Sequence, residues 1–116
     1  MSADAASTFA GMVIVPVTVI ALSIPLILRI IPRNSWYGFR TAKTLSSDVI
    51  WYQTNYIGGL YMLIASSVQL AGLITILLIA TDESVDFLAT NATAVLLAPL
   101  IIAIVAWFLR THGLRS

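Results

Sequence analysis

The residues of this chain that could bind or react lie mostly between positions 34 and 55, in the stretch NSWYGFRTAKTLSSDVIWYQTN. It holds two of the three tryptophans, Trp36 and Trp51, together with Arg40, Lys43 and Asp48. Acid–base chemistry on a substrate needs a group whose pKa is close to neutrality. Asp48 is the only acid in this stretch, and the stretch has no histidine. These residue types favour binding over catalysis.

The residue types also give no basis for a metal or cofactor. The chain has no cysteine, so a disulfide, a thiolate metal site and a thiol nucleophile are excluded. Its one histidine, His112, lies near the C-terminus without ligand partners nearby in sequence. P-loop, HExxH, GxGxxG and nucleophile-elbow motifs are absent. We therefore predict no cofactor, no metal and no catalytic residue, and an enzyme is the less favoured class.

The composition of the chain is that of a membrane protein. Of its 116 residues, 59% are apolar and only 9% are charged, whereas soluble domains carry about 25% charged residues. Residues 9–28, 57–80 and 88–109 are uncharged, and each reaches the about 20 residues that an α-helix needs to cross a bilayer. The sequence therefore predicts an all-α integral membrane protein with three transmembrane helices, in a single domain over residues 1–116.

The distribution of charge predicts how the chain crosses the membrane. The connection between the second and third spans, residues 81–87, has three acids and no base. The six bases lie either between the first two spans or after the third: Arg29, Arg33, Arg40, Lys43, Arg110 and Arg115. Bases that flank spans stay in the cytoplasm. We predict that the N-terminus is outside, that the C-terminus is inside, and that residues 29–55 form an ordered cytoplasmic loop.

Local features predict how this loop is built. Pro32 is expected to end the first helix, because the residue before a proline avoids the α region. Gly38 can adopt a positive φ that other residues avoid. Ser46 is predicted to be the N-cap of a helix that runs without a break into the second span. Asp48 would then lie in its first turn, where the helix dipole favours an anion.

This second helix would carry polar and aromatic residues on one face, at spacings of three, four and seven: Asp48, Trp51, Tyr52 and Asn55. Upstream bases could fold back on that face and form a basic and aromatic surface at the inner membrane face. Two simpler interpretations stay open, an interfacial aromatic belt, and bases that only set topology or contact anionic lipid. Arg40 is predicted to organise the loop by bonding to Asp48, Asn55 or backbone carbonyls, because its planar fork bridges several acceptors.

The spans carry no ionisable residue at depth, which disfavours a pump or a proton-coupled carrier. Gln69 is expected to make an interhelical hydrogen bond rather than to bind a ligand. Small residues recur at four-residue spacing, and close packing between helices is predicted at these positions: Ser67 and Ala71, then Ala94 and Ala98. Such rows also permit an oligomer.

The loop follows a pattern of Asn, an aromatic–Gly–aromatic–Arg–Thr block, Lys–Thr, and then Trp and Asn on the next helix. This pattern resembles the SdpI family, bacterial membrane proteins named for immunity to a secreted killing peptide. Ala42 stands where the family often has proline, and the named immunity protein has additional spans before this module. With Asp48 added from the helix pattern, the residues expected to bind a partner or organise the loop are Asn34, Tyr37, Gly38, Arg40, Thr41, Lys43, Thr44, Asp48, Trp51 and Asn55.

The resemblance implies an immunity or signalling protein of the bacterial cytoplasmic membrane that crosses it several times. Its implied partners are membrane lipid and either a peptide toxin or a cytoplasmic regulator, and a net charge of +1 gives no basis for direct binding to nucleic acid. Two alternatives stay open. One is an accessory subunit of a larger membrane complex. The other is an enzyme or carrier for a lipid or amphipathic substrate, with a site lined by Asn34, Tyr37, Arg40, Asp48 and Asn55.

Overall fold

The computed structural model describes residues 3–79 and 81–114, and all regular secondary structure in these two ranges is α-helical. Three of the helices are long and apolar enough to cross a membrane. The helices are α1 (Ala3–Ile27), α2 (Asp48–Ile79), α3 (Asp82–Thr90) and α4 (Ala92–Thr111). The prediction of an all-α fold with three helices of spanning length is confirmed. Ala80, the predicted end of the second span, and Arg115, a base used to orient the chain, lie outside the described residues.

The central helix is α2, which packs against both α1 and α4. Its 32 residues make it about 48 Å long at 1.5 Å per residue, which exceeds the roughly 30 Å of a hydrocarbon core. The first turns of α2 therefore extend towards the loop between α1 and α2. The helix is unbroken from loop to span, as the sequence predicts, although it begins at Asp48 rather than at Ser46.

The N-cap of α2 is Ser47, and the prediction of Ser46 is wrong by one residue. Ser47 Oγ accepts a hydrogen bond from the Ile50 amide at 3.2 Å, and the Ser47 carbonyl accepts one from the Trp51 amide at 2.9 Å. This is the geometry of a capping serine. The hydroxyl of Ser46 instead donates to the Lys43 carbonyl. Adjacent serines suit a cap equally well, and the preceding turn decides between them.

The first helix ends at Ile27, and the prediction that Pro32 ends it is therefore wrong. Arg29 has a positive φ of 59°. Its amide donates to the Leu26 carbonyl at 3.2 Å, and the next amide along the chain donates to the Pro25 carbonyl at 3.3 Å. These two bonds form a Schellman motif, which satisfies carbonyls that the helix end leaves without donors.

Arg29 stands at the position of this motif that glycine usually occupies. The left-handed conformation costs an L-residue roughly 1–2 kcal/mol. The guanidinium of Arg29 lies 4.5 Å from the centroid of the Tyr56 ring, and a cation–π contact of this kind contributes about 0.5–2 kcal/mol. The contact with α2 therefore offsets much of the backbone cost at the end of α1.

The acidic connection after the second span is a helix rather than a loop. Thr81 is its N-cap, with a side chain that accepts from the Ser84 amide at 3.3 Å. Helix α3 buries Val85 and Leu88. Leu88 joins α1 and α2 in an apolar cluster at the end of the bundle opposite the loop, formed by Phe9, Met12, Leu73 and Leu88.

The third predicted span, residues 88–109, is interrupted near its start. Asn91 lies between the end of α3 and the start of α4, with φ −106° and ψ 21°. Its side-chain Nδ2 donates to the Phe87 carbonyl at 2.9 Å, and asparagine side chains that bond locally in this way compete with helical hydrogen bonds. The spanning helix is therefore α4, which begins four residues later than predicted and ends at Thr111.

The predicted small-residue rows do not make the contacts between helices of this chain. All four of their residues are exposed at the outer surface of the bundle: Ser67, Ala71, Ala94 and Ala98. Helix α2 instead turns Gly58, Gly59 and Ser66 towards its neighbours. A Cβ at Gly59 would lie 3.1 Å from the Ser23 carbonyl oxygen of α1. Small residues recur at four-residue spacing on more than one side of α2, so the spacing alone does not identify the packed side. The side that carries Trp51 packs against the neighbouring helices.

Gln69 joins α2 to α4 beside a proline. Pro99 has no N–H, so the Val95 carbonyl four residues earlier in α4 lacks its helical donor. Gln69 Nε2 donates to that carbonyl at 2.8 Å and to the Leu96 carbonyl at 3.1 Å. An unpaired carbonyl is costly in a bilayer core, because no water is there to satisfy it. The glutamine amide thus replaces the missing backbone donor.

We expect Gln69→Leu to lower the free energy of unfolding by about 1–3 kcal/mol, because it leaves the Val95 carbonyl unpaired. In a Pro99→Ala background the restored amide can bond to that carbonyl, and the same glutamine substitution should cost clearly less. Thermal unfolding of the four proteins in detergent measures this double-mutant cycle. Equal losses in both backgrounds would show that the glutamine does not compensate for the proline.

Candidate functional site

The loop between α1 and α2, residues 28–47, folds back against the membrane helices, and it begins with an asparagine turn. Asn34 Oδ1 accepts hydrogen bonds from the Trp36 amide at 2.8 Å and the Tyr37 amide at 2.6 Å. Asn34 Nδ2 donates to the Pro32 carbonyl at 2.8 Å. Asparagine is favoured in such turns because its short side chain reaches nearby backbone groups. Asn34 is therefore used within the loop.

Gly38 lies where the loop passes close to α2. Its φ is 108°, so the predicted positive φ is confirmed. A Cβ at this position would lie 2.6 Å from Asn55 Oδ1 and 3.2 Å from the Trp51 ring. Both the backbone conformation and the close approach to α2 therefore require glycine.

The amide of Asn55 fixes the next residue of the loop to α2. Asn55 Oδ1 accepts from the Phe39 amide at 2.6 Å, and Asn55 Nδ2 donates to the Phe39 carbonyl at 3.3 Å. Nδ2 also donates to the Trp51 carbonyl at 3.1 Å. The Asn55 side chain is buried, so it pairs with both backbone groups of Phe39 away from solvent.

The side chain of Phe39 connects the loop to α4 as well. Its ring stacks on Trp107, with centroids 4.6 Å apart and an angle of 28° between the ring planes. The ring also covers Gly58, where a Cβ would lie 2.3 Å from the nearest ring carbon. Trp107 Nε1 donates to the Thr54 carbonyl of α2 at 2.8 Å. Phe39, Gly58 and Trp107 therefore form one contact among the loop, α2 and α4, which we call the aromatic clamp.

Trp107 belongs to no motif in the sequence. It is the tryptophan outside the stretch 34–55, and it lies near the end of a span where an interfacial aromatic residue is common. Its burial at 5% exposure distinguishes it from a belt residue. The sequence shows only that Trp107 is far from the other two tryptophans, which does not indicate that it packs against Phe39.

The two tryptophans of the loop and α2 differ in environment. Trp51 is fully buried, and its Nε1 donates to the Ile31 carbonyl at 2.8 Å, so the belt interpretation is wrong for it. Trp36 is 76% exposed. The face predicted for α2 is also divided, because Asn55 is buried with Trp51 whereas Asp48 is exposed and Tyr52 is half-buried.

A turn with two threonines follows the aromatic clamp. The Thr41 amide donates to Thr44 Oγ1 at 2.7 Å, and the Thr44 amide donates to Thr41 Oγ1 at 3.1 Å. Thr44 is buried, so this reciprocal pair satisfies backbone donors that the turn takes out of water. Lys43 lies within the turn, and its ammonium group donates to the His112 carbonyl. A cation is favoured there because it faces the C-terminal end of α4.

Asp48, one of the partners that the sequence suggests for Arg40, is paired with Arg33 instead. Arg33 Nε lies 3.4 Å from Asp48 Oδ1, and Arg33 Nη1 donates to the Leu45 carbonyl at 3.0 Å. Both side chains are well exposed, so the ion pair contributes about 0–1 kcal/mol. Arg40 donates to the Ser35 carbonyl. Of the acceptors predicted for Arg40, the structure thus pairs it with a backbone carbonyl and with neither side chain.

A mostly apolar groove of about 250 Å³ lies between α1 and the loop. The Tyr37 hydroxyl donates to the Leu22 carbonyl of α1 beside it. Burial raises the pKa of this hydroxyl above its usual value. The residues that line this α1–loop groove are Val19, Leu22, Ser23, Leu26, Trp36, Tyr37, Gly38, Phe39 and Met62.

The geometry of the loop gives no arrangement for acid–base chemistry. The amides of Asn34 and Asn55 are used by backbone groups of the loop, and Asp48 is paired with Arg33 in solvent. Among the described residues there is no group of His, Cys, Asp and Glu that could hold a metal ion. What the arrangement offers is a backbone fixed on three helices, with Trp36 and Arg40 exposed on it.

Comparison with protein families gives a match over most of the chain. The model of the SdpI/YfhL protein family matches residues 30–110, which include nearly all of the loop, α2, α3 and nearly all of α4. No curated protein and no solved structure matches the chain.

Proposed function

The chain belongs to the SdpI/YfhL protein family, and on that premise we propose that it is an immunity or signalling protein of the bacterial cytoplasmic membrane. In this proposal it binds a membrane-active peptide or a cytoplasmic regulator, without catalysing a reaction, at the exposed side of the loop between α1 and α2. The supporting observation is that the loop motif divides into residues that hold the backbone and residues that project from it.

The division follows burial and hydrogen bonding. Gly38, Trp51 and Asn55 face inward and fix the loop on α2. Trp36 and Arg40 project outward, and tryptophan and arginine are the residue types most enriched among energetically dominant contacts at interfaces. A backbone that is already fixed reduces the entropy lost on binding. A prearranged surface of this kind suits recognition of a partner.

Orientation in the membrane is a part of this proposal that can be tested directly. Ser35 in the loop and Ser84 in α3 are both exposed, and the chain has no cysteine of its own. With the bases of the loop in the cytoplasm, we expect a membrane-impermeant thiol reagent on intact cells to label Ser84→Cys and not Ser35→Cys. Labelling should become equal after the cells are permeabilised. Labelling of Ser35→Cys alone on intact cells would reverse the orientation.

The immunity function itself is tested by survival. We expect expression in a sensitive bacterium to increase survival against at least one member of a panel of secreted membrane-permeabilising peptides. Trp36→Ala should remove the protection without lowering the amount of protein in the membrane. Phe108→Ala removes an exposed aromatic residue from α4 and is the matched control. Protection that is absent against the whole panel, or that survives Trp36→Ala, would contradict binding at this surface.

A further inference from the structure

The α1–loop groove has a mostly apolar lining, and a base lies next to the loop segment that covers it. Val19 and Leu22 of α1 and Met62 of α2 line its membrane side, and the loop covers it with residues 36–39. The covering segment begins just after Ser35 and ends just before Arg40, whose guanidinium donates to the Ser35 carbonyl. Arg40 therefore lies against both ends of the segment that covers the groove.

Arg40 is an exposed base of the loop that uses little of its hydrogen-bonding capacity within the protein. A guanidinium has five N–H donors, and within residues 3–79 and 81–114 the partner of Arg40 is the Ser35 carbonyl. The other three bases of the loop are engaged with protein groups: Arg29 with the Tyr56 ring, Arg33 with Asp48 and Lys43 with the His112 carbonyl. Arg40 is exposed, so its remaining donors can reach an anion at the mouth of the groove.

From this juxtaposition we propose that the groove binds an anionic phospholipid of the surrounding bilayer. A segment of one acyl chain occupies the groove, and the phosphate is held by Arg40. The cavity of about 250 Å³ is below the about 300–1,000 Å³ of pockets that enclose a whole ligand, which fits part of a chain. A planar guanidinium can bind phosphate through two parallel hydrogen bonds.

A second copy of the chain is a poorer occupant of the groove on grounds of charge. Glu83 and Asp86 lie in α3, which packs at the end of the bundle opposite the loop. Asp48, the acid at the loop end, is already paired with Arg33. A copy in the same orientation therefore presents no free carboxylate from these described acids to Arg40, whereas an anionic phospholipid carries its phosphate next to its acyl chains.

Quenching of tryptophan fluorescence tests the proposal in purified protein reconstituted into vesicles. Trp36 lines the groove and is exposed, whereas Trp51 and Trp107 are buried, so quenching by lipid reports mainly on Trp36. The vesicles are phosphatidylcholine with a minor fraction of either phosphatidylglycerol or phosphatidylcholine that carries brominated acyl chains. We expect the brominated phosphatidylglycerol to bind with a preference of roughly tenfold, which is about 1.4 kcal/mol.

Two variants and one control locate the binding. Arg40→Gln should abolish the preference, and Val19→Phe, which fills the groove, should reduce quenching by the brominated phosphatidylglycerol. Arg110→Gln removes an exposed base at the same end of the bundle, away from the groove, and should keep the preference. The unfolding midpoint of each variant is measured in detergent, and quenching is compared between variants whose midpoint equals that of the unsubstituted protein.

Several results would overturn the proposal. One is equal quenching by the two brominated lipids. Another is a preference for phosphatidylglycerol that survives Arg40→Gln, and a third is a loss of this preference in Arg110→Gln as large as that in Arg40→Gln. Quenching that is insensitive to Val19→Phe would show that the acyl chain does not lie in the groove. Quenching by both lipids that falls as the ratio of protein to lipid rises would indicate a second copy of the chain as the occupant. The immunity proposal could still hold in each case, because its readout is survival and its variant is Trp36→Ala.

Discussion

Asn55→Ala is expected to lower the free energy of unfolding by about 2–4 kcal/mol and to release the loop from α2. The substitution leaves both the amide and the carbonyl of Phe39 without their partner in a partly buried position, and an unsatisfied group costs about 1–3 kcal/mol where it is buried. Loss of the side-chain contact with Gly38 also leaves space beside the loop. Thermal unfolding in detergent measures the first effect.

Release of the loop can be measured separately with trypsin, because Arg40 and Lys43 lie in the released segment. Cleavage there should become much faster in Asn55→Ala than in the unsubstituted protein. Gln53→Ala is the matched control, since Gln53 is exposed in the same turns of α2. A loss of stability without faster loop cleavage would mean that Asn55 stabilises α2 alone.

Gly58→Ala is expected to destabilise the protein by about 1–3 kcal/mol, the usual cost of adding volume to a packed contact. The new methyl group would lie 2.3 Å from a ring carbon of Phe39, so the ring must move. Phe39 cannot move without losing its stacking on Trp107. The aromatic clamp would then open, and the expected change is measured by thermal unfolding and, in a Trp36→Phe background that removes the exposed tryptophan, by quenching of Trp107 with a soluble quencher.

The control for this substitution is another glycine of α2. A Cβ at Gly72 meets nothing within 4 Å, so Gly72→Ala should be neutral or should stabilise by up to about 1 kcal/mol through helix propensity. In Gly58→Ala, the additional change Phe39→Leu replaces the flat ring with a smaller side chain and should recover part of the stability. Similar effects of alanine at both glycines would contradict the clamp.

The sequence predicts most of the fold because its signals are local. The uncharged runs set the number of spanning helices, and the serines before Asp48 place the start of α2 within two residues. Helix α3 is not among the predicted elements, although its local signal is present. Thr81 is a suitable N-cap and Glu83 follows it in the first turn, but its nine residues carry no long apolar run of the kind that marks the spans.

The partners of the site residues are not predictable in the same way. Several bases lie near Asp48 in sequence, so the sequence does not determine which of them pairs with it. The path of the folded loop brings Arg33 to Asp48. Trp107 donates to a carbonyl 53 positions away, and Lys43 donates to one 69 positions away. No periodicity in one sequence encodes such pairs. The resemblance to a family marks these loop positions as important, without saying which of them face inward.

Hydrogen exchange of the Phe39 amide tests most directly whether Asn55 holds the loop on α2 as a prearranged surface. In protein reconstituted with lipid, we predict that this amide exchanges as slowly as the Trp107 indole N–H, since both donate to groups of α2. We predict that Asn55→Ala brings it to the rate of an unprotected amide. Exchange of the Phe39 amide at the unprotected rate in the unsubstituted protein would contradict this role of Asn55.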